Sequence, residues 1–127
     1  MLNVLSINVN GLRERKKQLN LFCIFNRKKY DLIFVQETHC KDESESKAWS
    51  TNWEGNSIWN NGNSQSRGVA VLFRKHFDSD YDIKNVWQDE NGRCISFSCR
   101  LDNDENYIFS NIYAPNVKHF IMNFNQT

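Results

Sequence analysis

The chain has 127 residues, enough for one domain, and its 16 basic and 15 acidic side chains leave a net charge of +1. That balance does not point to nucleic acid held by bulk charge, though a site could still be locally basic. Aromatic residues make up 13% and there is a single proline, which suits a packed core and excludes a Pro-rich tail.

The four cysteines, Cys23, Cys40, Cys94 and Cys99, form no C-x-x-C pair and have no His cluster beside them, so no zinc site is expected. They read as reduced thiols of an intracellular protein. The start, MLNVLSINVN, has neither a basic leader nor a long apolar stretch, so no signal peptide is expected. No segment has the apolar length to span a bilayer. The expected location is nuclear or cytoplasmic, not secreted, with no membrane partner.

In chain order, residues 2–9 form a β-like run that Asn10-Gly11 ends as a turn. Residues 13–25 read as a helix, with Leu12, Leu19, Phe22 and Cys23 near one face and Arg13, Arg15, Lys16 and Lys17 crowding its first turns. After a polar break, residues 32–35 form a short apolar run of the kind buried on both faces. Strand, helix and strand in this length point to a βαβ unit and an α/β fold. Residues 41–50 are polar, a short helix or loop. Residues 56–59 read as a strand, and 60–64 as a loop. GVAVLF, residues 68–73, is the most β-like segment. Asp89-Glu90-Asn91-Gly92 marks a hairpin turn, and residues 93–101 alternate, with Ile95, Phe97, Cys99 and Leu101 on one face. Residues 102–106 turn again. Residues 107–114 form the last strand, which Pro115 ends. The expectation is a mixed sheet with helices on one side, and Trp49, Trp53, Trp59 and Trp87 packing in the core or at its rim.

Three strands finish in the same chemical style. The first ends at Asn8, Asn10 and Gly11, the second at Gln36 and Glu37, and the last carries Asn111, Tyr113, Pro115 and Asn116. Strand ends and the loops after them are where α/β proteins build sites. One carboxylate with amides and a phenol suits a hard cation holding a phosphate: Mg²⁺ takes few protein carboxylates and keeps waters, and a Tyr hydroxyl can donate to a phosphate oxygen. Each residue also has a plainer reading. Glu37 alone is a solvated strand-end carboxylate, Asn10 beside Gly11 a turn, Tyr113 a packed strand residue, His39 a surface or supporting residue rather than a ligand, and the basic run 13–17 a solvated helix face.

In order, NVNGL (8–12), QETH (36–39), SRGVAVLF (66–73) and NIYAPN (111–116) resemble the endonuclease/exonuclease/phosphatase superfamily, and most of all the apurinic-type endonuclease domain of non-LTR retrotransposons. DNA-repair apurinic endonucleases share the same blocks. The resemblance implies the N-terminal half of a DNase I-like four-layered α/β sandwich and a Mg²⁺-dependent phosphodiesterase acting on DNA, with Mn²⁺ as the alternative ion. It implies Glu37 as the metal-binding carboxylate, Asn8 at the metal and phosphate, and Tyr113 as the active-site tyrosine. Asn10, Gln36 and Asn111 fall beside them as substrate-binding candidates, and Arg13 with the following basic run would meet the DNA backbone.

The resemblance also implies two further blocks, an Asp-x-Asn and then a Ser-Asp-His, C-terminal to the NIYAPN block. Both are absent from these residues, and His119 is no substitute. Residues 1–127 therefore read as a partial domain truncated at its C-terminus. It is expected to be inactive alone, since such groups act as a unit. One face of residues 68–73 and of Ile95, Phe97 and Cys99 is expected to lack its facing sheet, and self-association through it is expected. A non-catalytic remnant that binds nucleic acid or a partner, and the same fold acting on another phosphoester, are the other readings.

Overall fold

The computed structural model describes residues 2–114 and the backbone of residues 125–126. The chain runs β1 (Val4–Asn8), α1 (Arg15–Arg27), β2 (Leu32–Gln36), α2 (Glu43–Ser50), β3 (Ser57–Asn60), β4 (Val69–Phe73), α3 (Phe77–Tyr81), β5 (Lys84–Gln88), β6 (Cys94–Arg100), β7 (Asn106–Ile112) and β8 (Asn125–Gln126). The strands form two four-stranded sheets, ordered β1-β2-β4-β3 and β5-β6-β7-β8. Pairs β1–β2 are parallel, with Asn8 beside Gln36; β2–β4 and β3–β4 are antiparallel.

The two central strands explain the architecture. Every residue of β2 and β4 is buried, and successive side chains alternate between two cores. Leu32, Phe34, Val69, Val71 and Phe73 face one core with Ile95, Phe97, Cys99 and Phe109 of the second sheet. Ile33, Val35, Ala70 and Leu72 face the other, with Phe22 and Phe25 of α1, Leu12 and Trp53. The described residues thus make three layers: helices, first sheet, second sheet. Phe97 ties the inner core, with its ring 6.4 Å from Phe34, 5.3 Å from Phe73 and 5.6 Å from Phe109.

Several expectations change. The single mixed sheet is two sheets, because α3 and β5, both unread in the sequence, carry the chain across to an antiparallel meander. The facing sheet expected to be missing is built from residues 84–112 and 125–126 of this chain, so residues 68–73 are buried on both faces and Ile95, Phe97 and Cys99 are covered. Among the described residues, the exposed large apolar side chains lie elsewhere, at Leu19, Ile24, Val86, Trp87 and Ile112. Trp87 is therefore neither core nor rim. In α1 the inward face is Gln18, Phe22 and Phe25; Leu19 and Cys23 point to solvent. Gln18 takes the place expected for Leu19 because its amide donates to Leu12 O at 2.9 Å and accepts from Asn52 at 2.7 Å, which satisfies a buried polar group. Pro115, Asn116 and His119 lie outside the described residues.

Candidate active site at the ends of β1 and β2

β1 and β2 run in the same direction, so their C-terminal ends emerge side by side. Their pairing continues past the strands: Gly11 N–H donates to Glu37 O at 2.7 Å and Leu12 N–H to Thr38 O at 2.9 Å. In the segment leading into β4, Gly68 O accepts from Thr38 N–H and Arg67 O accepts from His39 N–H, each at 3.0 Å. The loop after β2 is thereby fixed on both sides.

Its backbone is unusual. Asn10, Glu37, His39 and Arg67 have φ of 50°, 55°, 58° and 64°, a region that costs a non-glycine residue of order 1–3 kcal/mol when sparsely allowed and persists only where the surroundings impose it. Gly68, at φ 88°, is required by contact: a Cβ there would lie 2.3 Å from Thr38 Oγ1.

Asn8 and Glu37 meet directly. Asn8 Nδ2 donates to Glu37 Oε2 at 2.5 Å, and Asn8 Oδ1 accepts from Asn10 N–H at 3.0 Å. The backbone donor at Asn10 sets the amide's orientation, oxygen inward and NH₂ toward the carboxylate. His39 Nε2 stands 3.4 Å from the other oxygen, Glu37 Oε1. The Tyr113 phenol has its pKa held above the ordinary tyrosine value, first by burial and then by the Glu37 charge, with Arg93 acting the other way. Tyr113 thus belongs to the same electrostatic neighbourhood as Glu37. Its backbone N–H donates to Arg93 O at 2.7 Å.

The remaining sequence candidates sit behind or beside this group. Gln36 and Asn111 are 6% and 1% exposed. Gln36 Nε2 donates to Ser6 Oγ, Phe34 O and Asn111 Oδ1. Asn111 Nδ2 donates to Val35 O and Ala70 O. This amide pair joins the second sheet to the centre of the first, directly beneath Glu37. Arg13 is engaged: it forms an ion pair with Glu45, donates to His39 O at 2.8 Å and lies over the Trp49 ring at 5.5 Å. Lys17 Nζ donates to Val9 O at 2.6 Å. Of the basic run, Arg13, Arg15 and Lys16 are exposed, and Arg13 is the one paired with Glu45. What the sequence did not single out is the packing around the QETH block, the gap at Gly11 and Gly68 and the staple from α2; the two glycines were the legible signals.

Among the described residues, no group of three or more His, Cys, Asp or Glu side chains stands close enough to cage a metal ion. One carboxylate, 23% exposed, with an amide beside it fits Mg²⁺, which takes one or two carboxylates and keeps several waters, and does not fit zinc.

The same fold occurs in solved structures. The AP endonuclease LMAP from Leishmania major superposes with a TM-score of 0.69 over 88% of this chain, at 17% identity. The fold is that of the AP endonucleases. The Xenopus laevis APE2 catalytic domain shares it, with a TM-score of 0.61 over 91% of this chain at 18% identity. The chain spans 40% and 46% of these two AP-endonuclease chains. In sequence it is 27% identical over 114 residues to the Transposon TX1 uncharacterized 149 kDa protein of Xenopus laevis, covering 90% of this chain and 8% of that protein. No family model matches. The likeness of the four sequence blocks to the endonuclease/exonuclease/phosphatase superfamily and its retrotransposon members is thus accompanied by an AP-endonuclease fold and a transposon relative.

Proposed function

We propose that this chain is the N-terminal part of a metal-dependent phosphodiesterase that cuts DNA, of the retrotransposon or apurinic type. The observation that carries this is Glu37: a partly exposed carboxylate at the end of a fully buried strand, at positive φ, gripped by Asn8 at 2.5 Å. A solvated strand-end carboxylate needs none of this.

Glu37 would hold Mg²⁺ or Mn²⁺ and Asn8 would fix the carboxylate beside it. A bound Mg²⁺ would polarise the phosphoryl group and lower the pKa of a bound water. Tyr113, whose phenol pKa is raised by burial and then by Glu37, is suited to donate its hydroxyl to a phosphate oxygen as charge develops there. Arg15 and Lys16 remain as backbone contacts that position DNA without reading sequence. The water-orienting Asp-x-Asn and the Ser-Asp-His would have to come from residues outside this sequence, and residues 1–127 alone would leave DNA uncut.

The test is nicking of supercoiled plasmid. The 127-residue chain by itself should leave the plasmid intact. A polypeptide extended through both missing blocks should nick it only with Mg²⁺ or Mn²⁺, and Glu37→Gln in that polypeptide should abolish nicking. Cutting that survives Glu37→Gln would refute the assignment.

A further inference from the structure

We propose that His39 is a positioning residue that locks the Glu37 carboxylate and thereby sets the site's affinity for a divalent cation. The inference rests on the reading of Glu37 as the metal carboxylate.

The two oxygens of Glu37 are shared between two partners. Asn8 holds Oε2 at 2.5 Å and His39 Nε2 stands 3.4 Å from Oε1. With one partner a carboxylate can still swing about its remaining torsions; with one on each oxygen its plane is set. A ligand set in advance does not have to be ordered when the cation binds, which is where such supporting groups act.

His39 is itself over-determined. Its side chain is 14% exposed. Its N–H donates to Arg67 O at 3.0 Å and its C=O accepts from Arg13 Nη2 at 2.8 Å, while φ is held at 58°. Arg13 is stapled in turn by Glu45 of α2, whose Oε1 also accepts from Lys41 N–H at 3.0 Å. On the far edge of the ring, Gly11 leaves the space the imidazole fills: a Cβ at Gly11 would lie 2.9 Å from His39 Nδ1. A surface histidine needs no such cradle. The strain at residues 37 and 39, separated by buried Thr38, turns both side chains to the same side, where they meet.

The test is Mn²⁺ titrated into the full chain, with free and bound ion read by electron paramagnetic resonance and the melting temperature measured alongside. Wild type should bind one Mn²⁺, and Glu37→Gln should abolish it. His39→Ala should weaken binding on the order of tenfold at an unchanged melting temperature, and His39→Gln, which keeps a donor at that reach, should recover most of the loss. His39→Ala binding Mn²⁺ as wild type does would overturn the inference and leave Glu37 standing. A loss that His39→Gln does not recover, with a lowered melting temperature, would assign His39 to folding and overturn it too. Absence of Mn²⁺ on wild type would remove the metal reading of Glu37 and this inference with it.

Discussion

Four non-glycine residues have positive φ in the segments around the Glu37 carboxylate, Glu37 itself among them: Asn10, Glu37, His39 and Arg67. Strain of that kind persists where the neighbouring backbone imposes it, and here the imposing contacts are the hydrogen bonds from Gly11, Leu12, Thr38 and His39 to the facing chain segments. Gly68 is the position where the packing leaves least freedom. Ala there would carry φ 88° and drive its Cβ to within 2.3 Å of Thr38 Oγ1, an atom that already accepts from Cys40 N–H at 3.2 Å. Gly68→Ala should therefore destabilise the chain by more than about 1 kcal/mol, read as a lower urea midpoint; an unchanged midpoint would mean the loop relaxes freely. At this scale the sequence was informative about one pairing, since Asn8 and Glu37 meet through a hydrogen bond. It was silent on how they are held. The αL conformation of Glu37 and His39 leaves no mark in residue type, and the depth of Gln36 and Asn111 depends on a second sheet whose approach a local pattern cannot reveal.

Among the elements, the strongly alternating or continuous apolar runs were legible because burial on one or both faces dictates them: β2, β4, β6 and β7 fall within two residues of their expected bounds. The missed elements lack that signal. β5 is exposed at every residue and is interrupted at Asn85, which has φ 55°; α3 has five residues and no N-cap side-chain hydrogen bond. Missing these two hid the crossing between sheets, and with it the source of the facing layer. α1 was placed but turned: Gln18, not Leu19, lies inside, because hydrogen bonds can bury an amide where periodicity alone assigns a leucine. The inner layer makes a clear prediction. Phe97, 1% exposed, meets three other rings, so Phe97→Ala should cost about 3–5 kcal/mol. Val86→Ala on exposed β5 should stay within about 0.5 kcal/mol. Equal costs in denaturant unfolding would contradict the sandwiched arrangement of the two sheets.

For the whole molecule, global charge is almost balanced, and two buried thiols give stability a pH dependence on the alkaline side. Burial is the main cause that pushes the Cys40 thiol up to about 12 and Cys99 up to about 11; Tyr81 and Tyr113 move the same way. A group whose pKa is raised by folding binds its proton more tightly in the native state. Its contribution is complete below the ordinary thiol value of 9.0 and is lost as pH rises through the folded values. Stability should thus fall above about pH 9, while Cys23, which is exposed, should be the first thiol to react with a disulfide reagent at neutral pH. A urea midpoint that holds level well above that pH would contradict the burial of Cys40 and Cys99.

The most direct measurement is the amide spectrum of the ¹⁵N-labelled chain with substoichiometric Mn²⁺, compared with Glu37→Gln. The expected result is selective broadening at residues 8–11, 37–39 and 113 in wild type, erased by the substitution. Broadening centred on other carboxylates, or unchanged by Glu37→Gln, would contradict Glu37 as the metal-holding residue of a phosphodiesterase site.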